Sequence, residues 1–408
     1  KKYKGLKAEN DIPILKRGAA LGAGTMGGGI AWLMAETDMA PILKDLTPEA
    51  LELGLKQSAA NFLGQMKRKK MSYDQFERKQ RTISPELTYD SFGQVDLVIE
   101  AIVENINIKK SVFAEVEKHV SKSCVLTSNT SSLSVEEMST ALEYPERFAG
   151  LHFFNPVNRM PLVEIVTHSK VAPETIEALY SWCLKAKKKP VVVADGPGFL
   201  VNRILMPYLN EVGFLLKEGV SMKDVDDACL NFGMPMGPCR LLDEIGLDVG
   251  VKVAKILHEG LGDRAATSDL SQVVVDKGFL GKKNKKGFYL YDEKGKVTGV
   301  NEEVQKLLPS ENIKMSETDI QMRVFLPMIN EASIILDEKI VSKASDVDLG
   351  LIFGIGFPPF RGGLLKYADS QGLDRILEVI EKFSNTVNDK RYNACDYLKN
   401  LVDKKMKF

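Results

Sequence analysis

Several residue types that would narrow a function quickly are scarce in this sequence. Histidine occurs only four times, at 119, 152, 168 and 258. A metal centre built on imidazoles is therefore not expected. The five cysteines, Cys124, Cys183, Cys229, Cys239 and Cys395, form no C-x-x-C pair, and their number is odd. Free buried thiols in a reducing compartment fit this pattern better than a disulfide framework. Net charge is also missing, with 55 Lys+Arg against 55 Asp+Glu. No global field then draws the chain to nucleic acid or to an anionic membrane. No apolar run approaches the ~18–20 residues of a membrane span. No signal or transit peptide is visible, although the chain opens at Lys1 and reads there as a linker or a cut end. The C-terminal "KKMKF" is not the S-K-L peroxisomal address. The expected setting is a bacterial-like cytoplasm, with a mitochondrial one as the alternative.

What is present is ample for packing. The 408 residues are 44% hydrophobic, enough for two or three domains. Residues 1–13 read as a polar linker. From residue 14 short apolar runs alternate with helical patterns: "KRGAALG", "PILKD", "VDLVIEA", "CVLTSN", "FAGLHFF", "PLVEIV" and "PVVVAD". In the helix "NIKKSVFAEVEKHV", Ile108, Val112, Val116 and Val120 recur at i, i+4 and are expected to face the core. This texture predicts a mostly parallel, doubly wound sheet over residues 14–196. At "DGPGF" (195–199) the chain is punctuated, and helical text follows with Leu205, Leu209, Val212 and Leu216 on one face. The helical part repeats itself. Asn210–Glu211 matches Asn330–Glu331, and Phe232–Gly233 matches Phe353–Gly354. The expected division is a first helical domain at 197–300 and a second copy at 301–408.

One glycine-rich stretch carries a specific signal. "AALGAGTMGGG" holds Gly22, Gly24 and Gly27 in G-x-G-x-x-G spacing, after a strand and at the start of a helix. A second strand ends in Asp45, eighteen residues after Gly27. That whole context is a dinucleotide fingerprint. Gly22 permits the turn, Gly24 lets backbone N–H groups approach a pyrophosphate, and Gly27 lets helix and strand pack closely. Asp45 would bind the adenosine ribose hydroxyls and repel a 2′-phosphate, favouring NAD over NADP. Lys44 beside it works against that preference.

A second stretch, "GLHFFNPVNRMPLVEIV", buries an acid and an imidazole within one apolar segment. Pro156 and Pro161 bracket the connection, so His152 and Glu164 can face each other from adjacent strands. A carboxylate beside an imidazole fixes its tautomer and stabilises its protonated form. Spacing alone leaves open a satisfied core histidine beside an unrelated glutamate. A nicotinamide site upstream, which needs a base, favours the catalytic pair. His119 is expected at a helix end, His168 in a polar turn and His258 in a helix, none of them catalytic. In "SNTSSL" a capping box of Ser134 with Glu137 is expected, which leaves Asn129 and Ser131 for a ligand.

In this order, "GAGTMGGGI", "AIVEN", "SNTSSL", "GLHFFNPV", "LVEIV" and "GPGFLVNR" resemble the L-3-hydroxyacyl-CoA dehydrogenases. The tail "FGIGFPPFRGG" looks like the dehydrogenase half of multifunctional fatty-acid β-oxidation proteins. The resemblance implies a Rossmann-like α/β N-terminal domain, followed by an all-α region of two related helical units. It implies NAD as cofactor and oxidation of (S)-3-hydroxyacyl-CoA, an acyl-CoA substrate lying in the cleft between domains. His152 then matches the base and Glu164 its orienting partner. Ser131 and Asn202 match residues at the substrate's 3-oxygen and thioester. Met26, Asp45, Glu104, Lys109, Asn129, Asn155 and, more weakly, Lys283 match cofactor contacts. Lys67, Arg68 and Lys69 occupy a place that touches coenzyme A phosphates; as residues alone they read equally as a solvated helix face. An enoyl-CoA hydratase domain upstream and a thiolase partner are implied. The second helical copy has "MRVFLP" where the first has "NRILMP", with no glycine turn and no His–Glu pair, so it is read as structural. It would replace the second subunit of single-copy relatives, giving a monomer. Two rivals remain. One is a 3-hydroxybutyryl-CoA or sugar-acid dehydrogenase on this scaffold, against which the doubled unit speaks. The other is a non-catalytic docking part of a multienzyme complex.

Overall fold

Short apolar runs bounded by turn residues become the strands of one sheet in the computed structural model. It describes residues 12–311, 313–387 and 390–408, so most of the expected linker lies outside the described residues. The chain divides into two units, Lys1–Phe199 and Leu200–Phe408. The first holds β1 Gly18–Leu21, β2 Ile42–Lys44, β3 Ser84–Glu86, β4 Leu97–Glu100, β5 Val125–Ser128, β6 Phe148–Phe153, β7 Leu162–Thr167 and β8 Lys189–Ala194. Its helices are α1 Thr25–Glu36, α2 Pro48–Lys67, α3 Tyr73–Arg81, α4 Ile106–Val116, α5 Val135–Ser139 and α6 Pro173–Lys185. The strand order is β3-β2-β1-β4-β5-β6-β7-β8. Every neighbouring pair is parallel except β6 and β7, which are antiparallel. β3 has no counterpart in the sequence reading. Its "SPE" lacks an apolar signature and joins the sheet edge through its backbone, where proline is tolerated.

α4 corrects one expectation. Its buried residues are Lys109, Phe113 and Val116, while Ile108 is exposed. The Lys109 ammonium lies 2.5 Å from the buried Glu100 carboxylate. That ion pair accounts for a lysine facing inward where the apolar stripe pointed elsewhere.

The second unit is helical apart from a hairpin of β9 Tyr289–Tyr291 and β10 Val297–Val300. Its helices are α7 Val201–Lys217, α8 Met222–Phe232, α9 Pro238–Ile245, α10 Leu247–Leu261, α11 Leu270–Asp276, α12 Glu302–Gln305, α13 Glu317–Asp337, α14 Ala344–Ile355, α15 Leu364–Gln371, α16 Leu373–Val387 and α17 Asp396–Asp403. Residues 120 apart play the same parts. Arg203 of α7 pairs with Glu331 at 2.6 Å and Glu338 at 2.7 Å. Arg323 of α13 pairs with Glu211 at 2.5 Å and Glu218 at 2.8 Å. Each of these helices also carries an internal proline, Pro207 or Pro327. Further on, Asp226 accepts the Cys239 N–H at the start of α9, and Asp348 accepts the Leu365 N–H at the start of α15, both at 2.8 Å. A Cβ on Gly237 or Gly363 would collide with those carboxylates.

The matched Phe–Gly pairs do not survive this comparison. Gly233 ends α8 in the left-handed region, whereas Gly354 is buried inside α14 and Gly356 takes the capping role. The left-handed cap lies two residues beyond the matched glycine. All five cysteines are free thiols, and burial pushes the Cys229 thiol up to about 12.

A buried charge whose partner is removed costs about 3–5 kcal/mol. Arg203→Met should therefore lower the unfolding free energy by that amount in urea titration. Combining it with Glu331→Leu should restore most of the loss. A single-variant cost below about 1 kcal/mol would show the crossed pairs to be incidental.

Candidate active site

The parallel register brings one end of the sheet together. Leu21 of β1 sits beside Glu100 of β4, which sits beside Ser128 of β5. At this edge Gly22 adopts φ +88, and a Cβ there would lie 2.6 Å from the Ala101 carbonyl oxygen. A Cβ on Gly27 would lie 1.7 Å from the Gly22 carbonyl oxygen. These two glycines are required by the fold. Gly24 differs: nothing lies within 4 Å of where its Cβ would be. It precedes the first turn of α1, which contains Met26 and whose N–H groups have no helical partner. Neither packing nor backbone conformation therefore requires glycine at 24, and the helix start beside it is open to an anion. Asp45 ends the neighbouring strand. Its carboxylate accepts the Ala23 N–H at 2.6 Å, which places the acid against the glycine turn. Lys44 does not compete with it, because its ammonium lies over the Tyr89 ring, 4.6 Å from the centroid.

The loops after β4 and β5 are tied by charge. Lys109 is 1% exposed and lies between Glu100 and Glu104, at 2.5 and 3.3 Å. Glu104 accepts the Thr130 hydroxyl at 2.5 Å and the Ser131 N–H at 3.2 Å. The Asn129 side-chain carbonyl accepts the Phe153 N–H at 2.8 Å, next to His152. Glu100 was hidden within an apolar run; only its formal charge at a strand end could have marked it.

His152 and Glu164 are register partners across β6 and β7. Opposed residues of an antiparallel pair project to the same face. His152 Nδ1 lies 2.6 Å from Glu164 Oε2, with the glutamate fully buried and the imidazole 6% exposed. The rings of Phe154 and Phe199 flank the imidazole at 4.4 and 6.0 Å. With Nδ1 engaged, Nε2 is the nitrogen left for a substrate proton. Asn155 follows β6 and is exposed.

The remaining candidates lie elsewhere. Lys67, Arg68 and Lys69 are exposed at the end of α2. Asn202 opens α7 in the second unit. Lys283, in the same unit, pairs with Asp248 at 2.5 Å. Its loop is held by Asp243, which accepts the N–H groups of Phe288 and Tyr289 and the Tyr291 hydroxyl. Burial pushes the Asp243 carboxyl up to about 6. Ser134 does cap α5, but Glu137 faces Lys110 at 3.7 Å instead of completing the expected box. His168 is not in an exposed turn. It is buried, its Nε2 2.9 Å from the Phe148 carbonyl oxygen. His119 stacks on Tyr89, and His258 is exposed on α10.

Comparison with known proteins agrees with this geometry. Residues 18–196 match the family described as 3-hydroxyacyl-CoA dehydrogenase, NAD binding domain. Residues 198–291 and 320–407 match 3-hydroxyacyl-CoA dehydrogenase, C-terminal domain. The chain belongs to the 3-hydroxyacyl-CoA dehydrogenase family. It is accordingly an NAD-dependent oxidoreductase. A fatty acid oxidation complex subunit alpha from Idiomarina loihiensis is 40% identical over 95% of this chain and 55% of its own length. The chain thus spans about half the length of the curated relatives it matches. Among solved structures, 3-hydroxybutyryl-CoA dehydrogenase from Escherichia coli K12 superposes with a TM-score of 0.84 at 26% identity, covering 97% of this chain and 99% of that one. The dehydrogenase part of multifunctional enzyme 1 from C. elegans gives 0.68 at 26% identity, covering 97% and 93%. Among the described residues no helix is long and apolar enough to cross a membrane.

Two glycines of this dehydrogenase's turn separate access from folding. Gly24→Ala should leave the thermal midpoint unchanged but weaken NAD binding tenfold or more, about 1.4 kcal/mol. Gly27→Ala should lower both. Calorimetric NAD titration alongside thermal melts checks this, and unimpaired NAD binding by Gly24→Ala would remove the turn from the site.

Proposed function

We propose that this chain oxidises (S)-3-hydroxyacyl-CoA to 3-oxoacyl-CoA with NAD⁺. The observation carrying the proposal is the buried His152–Glu164 pair, at the sheet end that also bears the glycine turn. Gly22, Gly24, Met26 and Gly27 cradle the pyrophosphate, and Asp45 takes the adenosine ribose. Glu104, Lys109, Asn129 and Asn155 serve the nicotinamide half, with Lys283 as a further contact. Bound NAD⁺ supplies the hydride acceptor. His152 Nε2 takes the proton of the 3-hydroxyl as the carbinol hydride departs. Glu164 holds Nδ1–H and stabilises the imidazolium that forms. Ser131 and Asn202 orient the 3-oxygen and thioester, and Lys67, Arg68 and Lys69 pair with coenzyme A phosphates.

The wider setting proposed is fatty-acid β-oxidation in a bacterial-like cytoplasm. The relatives' name, fatty acid oxidation complex subunit alpha, and their bacterial sources support it. An enoyl-CoA hydratase domain preceding this segment and a thiolase partner complete the reading. The helical repeat, 197–300 and 301–408, makes the second copy a built-in substitute for a second subunit.

A second reading concerns chain length. The E. coli structure that matches 97% of this chain is a 3-hydroxybutyryl-CoA dehydrogenase. A chain of this extent is therefore compatible with a short substrate, contrary to the expectation drawn from the doubled unit. Rates of NAD⁺ reduction with four-, ten- and sixteen-carbon 3-hydroxyacyl-CoA separate the two. A flat or rising series supports fatty-acid oxidation, and activity confined to the shortest supports the alternative.

His152→Gln should keep NAD affinity within about twofold while lowering turnover by roughly 10²–10⁴. Unchanged turnover would defeat the assignment of the base.

A further inference from the structure

Glu100 has no part in the mechanism above, yet it is a fully buried carboxylate at the site's floor. It accepts the Ile102 N–H at 2.7 Å, the Ser128 hydroxyl at 2.6 Å and the Lys109 ammonium at 2.5 Å. Lys109 also reaches Glu104 at 3.3 Å. Two carboxylates therefore share one ammonium, and the formal charge of the cluster is minus one. The Glu100–Lys109 pair is buried, and Glu104, its side chain 26% exposed, carries the remaining charge at the edge of the cluster. A structural tie would not need it. Glutamine at 100 can accept from Ile102 and Lys109 through its carbonyl and donate to Ser128 through its amide, with no excess charge. The geometry thus spends a negative charge where a neutral group would serve, and a cation that visits the site accounts for that.

The strand order indicates which cation. Asp45, at the end of β2, marks the adenosine side, and His152, on β6, marks the hydride-transfer side. β4 and β5 lie between β1 and β6, on the hydride side of the glycine turn. The nicotinamide ring is cationic when oxidised and neutral when reduced, and the rest of the dinucleotide is the same in both forms. We propose that the Glu100–Lys109–Glu104 cluster discriminates between the two redox forms of the dinucleotide, raising the affinity for NAD⁺ relative to that for NADH. Glu100 is then a positioning residue that acts through Lys109 and through the field it leaves. Glu164 adds a charge on the other side, but it also orients the base and is unsuited to a test. The inference rests on the NAD site described above.

The test is direct titration of the whole chain with NAD⁺ and separately with NADH, for the unaltered protein, Glu100→Gln and Glu104→Gln. One charge removed at this range, in a partly solvated site, should lower the ratio Kd(NADH)/Kd(NAD⁺) about three- to tenfold in each variant. A tie that merely shapes the pocket would change both constants by one factor and leave the ratio fixed, which would overturn the proposal. Should Glu100→Gln lose its thermal transition, Glu104→Gln decides alone, since its side chain is 26% exposed and replaceable. Failure of the unaltered chain to bind either form would overturn the functional reading as well; binding with an unaltered ratio overturns only this inference.

Discussion

A carboxylate and an imidazole in a dry sheet interior each need a partner, and at the candidate site each is the other's. In this chain that meeting depends on one reversal. Of eight strands, only β6 and β7 pair antiparallel, and the reversal puts His152 opposite Glu164. Had β7 continued the parallel run, residues twelve apart could not have been direct partners across neighbouring strands, because a parallel crossover needs a longer connection. The connection that makes the reversal lies at the same edge as the glycine turn. His152, Glu164 and the glycine turn therefore share one rim.

Much of this was legible in residue order. The turn announced itself because Gly22 and Gly27 are sterically forced. The His–Glu pair announced itself because charge inside apolar text demands a partner. What escaped was structure made by the backbone or by compensated charge. β3 is three residues without an apolar side chain, held by ladder bonds alone. α4 buries Lys109 alongside Phe113 and Val116 and leaves Ile108 exposed, because Lys109 found two carboxylates inside. His168, placed in a polar turn by the sequence, is buried, and a carbonyl oxygen satisfies its ring nitrogen. In the helical unit the Phe–Gly match followed residue letters, whereas the structure aligns left-handed caps. Pattern reading sees sidedness and composition well. It sees poorly which polar group will find a partner far along the chain.

Charge buried with its counterpart recurs in both units, with different chemistry. His152–Glu164 leaves one ring nitrogen for work. The Glu100 cluster leaves a net charge. The helical unit closes its pairs completely, each arginine held by two glutamates. The first two are incomplete in a way that suits a ligand. The last is complete in a way that suits a scaffold.

Residues 120 positions apart carry the same signs, so each half of the helical unit reads the other as its own kind. Two molecules that traded halves would form the same crossed bridges as one molecule closed on itself. What favours closure is proximity: both halves belong to one chain, for which effective concentrations are on the order of millimolar. Dilute nascent chains close on themselves. At densities near that figure, exchange of halves between chains would compete with closure, because the exchanged pairs would carry the same charges.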